Sequence, residues 1–477
     1  MSHIIGYNLG ALHKASKDVN QKISSSYFPS ATTMDENPVI PSPEVFNQLN
    51  DSHKNNLPTP AQCAVHLELL EVFHALRIKI IDSKELNQTF GLGEETKTIY
   101  RRKYVKGLRK YVNEEVKIRN EIWEKNHPKK WTWYLGAAVQ RFLVWAESYN
   151  AWMATEMPKA DPDDTKAGIP MTKSWWLPPV GVYTNHALRW SVQLTLRLDI
   201  LMIWHAFLLN PSDFWDFCKL KAWNYIPRVN FPWNFIHQVI WSQGPIRGTW
   251  VYIAAEPWDV PKEESAIRGD LFKYLVQTGK RETLDIDKTF DPHDIVSKLV
   301  NNVERQRVFV QKMNRHLWVR SPALKGTLQR AVERYENYLQ LFKLYPGKML
   351  VPALDIDLVW HTSQLSAAAY KASMEARCGR FINHDDKIGR STLVTGNDET
   401  QTLYRIHFGQ EYSVCLCWEC QAIMSALQDS DRDGLLEESR LSTFAEDLAG
   451  IILADVEYYR AVEAARRRNH VKLPVRK

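Results

Sequence analysis

The chain has 477 residues, 44% hydrophobic and 24% charged, the proportions of a soluble globular protein long enough for two or three domain-sized units. Its 61 Lys and Arg against 55 Asp and Glu leave a net charge of +6. That is slight for this size, and much of it traces to Arg466, Arg467, Arg468, Lys472, Arg476 and Lys477, so the balance predicts no nucleic-acid footprint.

Residues 1–56 are polar, rich in Ser, Asn and Pro, and read as a flexible arm without the apolar core of a secretory leader. From Pro58 the pattern turns helical, with Cys63, His66, Leu67, Leu70, Phe73 and Leu76 near helical spacing. The charged segment 95–126, with Tyr100, Tyr104, Leu108, Tyr111 and Val112 as its stripe, is expected to complete an amphipathic helical pair. A third helix is expected over 131–157, followed by a long loop or lid broken by Pro158, Pro162, Pro170, Pro178 and Pro179. Helical pieces then run over 198–209 and on to Trp223. The aromatics Phe231, Trp233, Phe235 and Trp241 that follow either wall a pocket or serve packing. Further helices are expected over 293–319, 323–345, 400–407, 415–427 and 441–468.

The resulting organisation is an arm (1–56), a first helical half (57–255), a linker (256–291), a second helical half (292–468) and a basic tail (469–477). The fold class is mainly α, a multi-helix globular protein. No membrane span is expected, since the best stretch, 187–209, contains Arg189, Arg197, Asp199 and His205. Six Cys make no disulfide framework and fit a reducing, cytoplasmic compartment. The basic run 466–468 reads as a nuclear import signal or a solvated helix end.

One segment returns. LDILMIWHAFLLNPSDF at Leu198–Phe214 and LDIDLVWHTSQLSAAAY at Leu354–Tyr370 agree, without a gap, at Leu198/Leu354, Asp199/Asp355, Ile200/Ile356, Trp204/Trp360, His205/His361 and Leu209/Leu365. On a helix, both present apolar residues nearly all round, which predicts two central helices. Asp199 and Asp355 stand where a carboxylate can accept backbone N–H bonds of the first turn. An imidazole on an apolar face must bond a carbonyl or carboxylate, bind a metal, or titrate. His205 and His361 are therefore either satisfied core histidines or members of a shared polar site with Asp357, beside Trp204 and Trp360.

Two further clusters carry chemistry. Cys415, Cys417 and Cys420 could share Zn²⁺ or another divalent metal if Cys378, His384, His407 or His361 supplied a fourth ligand. The alternative is that they are small buried hydrophobes. Asp429, Asp431 and Asp433 with Gly434 match the first half of a calcium loop, but its twelfth position is Arg440, which predicts weak or no Ca²⁺ binding. Gly91 and Gly93 are too little to cradle a phosphate.

LVPALDIDLVWHTSQLS with GRFINHDDKIG, the earlier DILMIWHAFLLNP and the final YYRAVEAARRR resemble the glycine-rich domain-containing protein-like family, over about Pro58 to Arg468. The family occurs in plants and, in forms closer to this one, in fungi. The resemblance implies an intracellular, mostly helical domain without an established activity. Plant relatives carry glycine-rich and RNA-binding segments and are associated with growth and stress responses. Here only 20 Gly are present, so the RNA association does not carry over. Where relatives often read Trp-His-x-His, this chain has Ser363 in place of the second His. The expected function is a binding or scaffolding protein for a protein or small-molecule partner. The alternatives are a metal-dependent enzyme near the Trp-His pairs, in specialised metabolism, and an RNA-associated regulator.

Overall fold

Thr59 starts the first helix with a capping box: its side chain accepts from the Gln62 N–H at 3.2 Å, and the Gln62 side chain accepts from the Thr59 N–H at 3.3 Å. In the structure, a computed structural model, residues 41, 43–47, 49, 57–156, 197–241, 271–278, 294–384, 387–432 and 441–467 are described. The expected lid, the basic tail beyond 467, and most of the arm and linker lie outside them.

The described elements are α1 (Pro60–Asp82), α2 (Lys84–Thr89), β1 (Thr96–Val105), β2 (Lys110–Arg119), α3 (Glu121–Asn126), α4 (Lys129–Glu156), α5 (Leu198–Leu208), α6 (Pro211–Leu220), α7 (Trp233–Trp241) and α8 (Leu271–Thr278). They continue with α9 (Ile295–His316), α10 (Leu324–Leu344), α11 (Leu354–Gln364), α12 (Ala367–Cys378), α13 (Arg390–Phe408), α14 (Trp418–Arg432) and α15 (Leu441–Arg467). The protein is mainly α, with one two-stranded sheet among the described residues. No helix there is long and apolar enough to cross a membrane.

The expected helix over 95–126 is corrected. Residues 96–119 form an antiparallel hairpin with Tyr104 opposite Tyr111, and the chain turns through Arg109 in the left-handed region at φ 47°. Tyr, Val, Ile and Thr are better strand than helix formers, and nearly every side chain of the segment is exposed, so no apolar face held it helical.

α1 is not amphipathic either. Every residue from Ala61 to Glu71 is buried, because α4, α9, α10 and α11 surround it. Its two buried carboxylates have partners: Glu68 meets His237 at 3.1 Å, and Glu71 meets Arg320 at 2.9 Å. α9 packs against α4 and α5, while α10 carries α11, α12, α13 and α14. Leu271 and Leu275 of α8 are also buried, so the stretch read as a linker contains a core-packed helix. α12 stops where Gly379, at φ 71°, turns its N–H back to the Glu375 carbonyl at 3.1 Å.

Candidate metal centre

The two Trp-His segments are α5 and α11, both eleven residues long and buried from their Asp onward except at Asp357. The expected capping role of Asp199 and Asp355 is corrected: each lies inside its helix and faces a buried arginine. Arg141 of α4 meets Asp199 at 2.9 Å, and Arg334 of α10 meets Asp355 at 2.6 Å. The two arginines stand in similar contexts, AVQRF at 138–142 and AVERY at 331–335, a sequence signal that lies outside the repeated segments themselves. Trp204 packs on Trp145 and Phe231 at 5.5 and 5.4 Å. Trp360 packs on Tyr338 and Phe342 and donates to the Tyr370 hydroxyl at 2.9 Å.

His205 and His361 enter different clusters. His205 Nε2 lies 2.9 Å from Nε2 of His66, and His66 Nδ1 lies 2.9 Å from the Thr362 hydroxyl. That hydroxyl donates to the Leu358 carbonyl at 2.7 Å, so it accepts from His66 Nδ1–H. His66 Nε2 then carries a lone pair and accepts from His205 Nε2–H, a tautomer assignment that follows from the network. His66 was legible only as one more residue of a helical stripe. Nothing local to residue 66 announced a partner 139 residues away.

His361 belongs to the second cluster. Asp357 and His361, one turn apart on α11, share a face, and the segment after α12 brings His384 to them. His361 Nε2 lies 3.2 Å from His384 Nε2, and Asp357 Oδ1 lies 3.3 Å from the first and 3.4 Å from the second. His361 is fully buried, with Phe309 at 4.4 Å from its ring; Trp360 meets His384 edge-on at 4.8 Å. Neither Nδ1 has a hydrogen-bond partner among the described residues, so packing and the Nε2 contacts set the ring orientations. Burial tends to raise the Asp357 pKa, but His361, His384 and Lys312 outweigh it and hold the carboxyl below its usual value.

The other predicted ligands do not join this group. Cys415, Cys417 and Cys420 gather at the start of α14, with 3.4 Å between the Sγ atoms of Cys415 and Cys417. None of the four expected fourth ligands reaches them among the described residues. Cys378 donates to the Leu339 carbonyl, His407 Nε2 meets the Tyr345 hydroxyl, and His361 and His384 are engaged with Asp357. The calcium loop is corrected as well: α14 continues through Asp429 and Asp431, whose backbone is helical rather than looped, while Asp433 lies outside the described residues.

The buried histidines predict acid sensitivity. His66, His205 and His361 are all held below the ordinary value of 6.5, first by burial, with His205 pushed down to about 3 and His361 to about 4. Neighbouring imidazoles add to the shift, while Asp357 opposes it at His361. The unfolded chain therefore binds protons that the folded one refuses, and stability, complete above about pH 6.5, falls as the pH drops from there toward 4. Denaturant unfolding at pH 7.5, 6 and 5 checks this. Equal midpoints at all three would contradict neutral burial.

Residues 270–405, which include Asp357, His361 and His384, match the family model described as glycine-rich domain-containing protein-like. Glycine-rich domain-containing protein 1 of Arabidopsis thaliana is 27% identical over 318 residues, 61% of this chain and 34% of that protein. Glycine-rich domain-containing protein 2 of the same plant is 26% identical over 253 residues, 50% of this chain and 29% of its own length. The chain thus spans about a third of the curated relatives it matches. No solved structure matches it. The match falls on the part of the chain that builds the Asp-His-His group, and this part, within a mainly helical architecture, is similar to the glycine-rich domain-containing protein-like family.

Proposed function

We propose that this chain is a helical protein that binds a divalent metal ion through Asp357, His361 and His384. The observation that carries the reading is the triangle of donor atoms with sides of 3.2, 3.3 and 3.4 Å. For metal–ligand bonds near 2.1 Å, tetrahedral ligands stand about 3.4 Å apart, so the three atoms already hold the spacing that Zn²⁺ asks of its ligands. Two imidazoles and one carboxylate also suit Fe²⁺. Two Nε2–H groups can satisfy the two sides that meet at Asp357 but then face each other across the 3.2 Å His361–His384 side, whereas a cation satisfies all three. Ser363, standing where relatives often have His, is not needed for this set, because His384 arrives from another segment.

Three protein ligands leave coordination positions for water or a small molecule, so the same centre supports either ligand binding or metal-assisted catalysis. A narrow cleft with an open volume of about 30 Å³ reaches His205 between α1, α5 and α9, with Phe73, Met202 and Val310 among its walls and Arg77 and Arg307 as its cations. The six unpaired cysteines support placement in a reducing compartment.

Elemental analysis after gel filtration tests the reading. One equivalent of Zn²⁺, Fe²⁺ or added Co²⁺ per chain is expected, and His361→Ala with His384→Ala should weaken it by more than the roughly 10- to 100-fold that outer-shell changes cost. Serine at 415, 417 and 420 should leave that equivalent in place, and bound Co²⁺ should show no thiolate charge-transfer band. His361→Gln alone should fold normally. Metal that disappears with the cysteines but survives loss of both histidines sinks the proposal.

A further inference from the structure

The hairpin β1–β2 is a local concentration of positive charge, as is the basic C-terminal stretch. Residues 96–119 contain nine basic and two acidic side chains, a net of +7, while the whole chain carries +6. The remainder sums to close to neutral even with its basic C-terminal stretch, so the two-stranded ribbon is strongly positive in an otherwise balanced chain.

The register sorts this ribbon into two unlike faces, because cross-strand partners point to the same side. One face holds Ile99 and Val105 of β1 with Val116 and Ile118 of β2, which are half-buried. The other holds Tyr100, Arg102, Tyr104, Tyr111 and Lys117, all exposed, with the three tyrosines 65%, 49% and 59% accessible. Tyr104 and Tyr111 lie 5.1 Å apart at 60°, and the Arg102 guanidinium sits 5.1 Å from the Tyr111 ring. The acidic residues are already engaged: Glu114 with Lys103 at 2.9 Å and Glu115 with the Tyr100 hydroxyl at 3.1 Å. At the turn, Lys106, Arg109 and Lys110 add further charge.

Three accessible phenol rings beside the Arg102 guanidinium and the Lys117 ammonium, on a strand face whose one carboxylate is Glu115, have one chemistry that uses both rings and cations. Bases stack on rings, and phosphates pair with the cations. A duplex offers phosphates but keeps its bases stacked away, and a lipid surface offers phosphates without π faces. We infer that the exposed face of the β1–β2 hairpin binds single-stranded nucleic acid, with Tyr100, Tyr104 and Tyr111 as stacking residues and Arg102 and Lys117 as phosphate contacts. This surface is separate from the Asp357–His361–His384 centre and does not depend on a metal there.

Fluorescence anisotropy of the full chain with a labelled twelve-residue oligouridine, across a series of salt concentrations, is the test. Saturable binding is expected at low salt, weakening as salt rises, with the log–log slope shallower by about 0.7 for each phosphate contact removed in Arg102→Gln and Lys117→Gln. Tyr100→Ser with Tyr104→Ser and Tyr111→Ser leaves the charge unchanged and should weaken binding by about tenfold or more. All five positions are exposed, and unchanged helicity in circular dichroism establishes that each variant is folded. No retention of the oligouridine at low salt overturns the inference. Binding that the tyrosine variant keeps in full, or that an RNA duplex matches, also overturns it, since charge alone would then be at work. So does capture by phosphatidylserine vesicles without capture of the oligouridine, which would make the face a membrane contact.

Discussion

Asp355→Ala is expected to destabilise the protein by about 3–5 kcal/mol, because it strands the Arg334 guanidinium in the core. That guanidinium donates to Asp355 at 2.6 Å and to the Tyr412 and Glu411 carbonyls at 2.7 and 3.3 Å, and it lies 5.7 Å from the Tyr404 and Tyr412 rings. Two carbonyl-type acceptors and two π faces remain after the substitution, but the neutralising charge is gone. Removing both charges together, as Arg334→Met with Asp355→Leu, should cost much less than the two single changes combined, since two well-packed apolar side chains need no partner. Thermal melts of the four proteins form a double-mutant cycle. Additive losses would mean that the pair does not interact across the α10–α11 contact.

Trp360→Ala should cost a similar amount, about 3–5 kcal/mol, as should Trp204→Ala. Each indole is buried among aromatic rings, so truncation opens a cavity that rigid neighbours do not refill. The two differ in their N–H groups. Trp360 donates to Tyr370, which itself donates to the Ile382 carbonyl at 2.7 Å, whereas Trp204 Nε1 has no hydrogen-bond partner among the described residues. Phenylalanine at 204 should therefore be tolerated better than at 360, by about 1 kcal/mol. Unfolding midpoints unchanged in both alanine variants would show that these helices are not the packed centre.

Part of the Asp357–His361–His384 group was legible in the sequence. Asp357 and His361 are one helical turn apart, and helical spacing alone puts them on one face. His384 was legible only as a loop histidine near Asp385 and Asp386, with no sign of which residues it would meet. The sequence proposed it for the cysteine cluster, whereas the structure places it beside Asp357 and His361. Cys378 shows the same limit: spacing nominates candidates for a ligand set, but the distance between segments decides membership.

Periodicity, capping residues and proline breaks were enough to place α4, α5, α9, α10, α11 and α15 to within a few residues, because those signals act over one or two turns and need no distant partner, whereas α7 and α8 fell in stretches read as aromatic walls and linker and α13 begins at Arg390, ahead of the expected 400. They failed at 96–119, where alternating charge and aromatics fit a helical stripe nearly as well as an exposed ribbon. Only pairing between the strands distinguished the two, and with it the placement of the ribbon's positive charge. The burial of α1, the Arg141–Asp199 and Arg334–Asp355 contacts, and the separation of four histidines into two clusters were likewise settled in three dimensions. Each depends on groups brought together across tens to hundreds of residues, and the free energy that selects them comes from packing and desolvation at the contact rather than from any local preference of the chain.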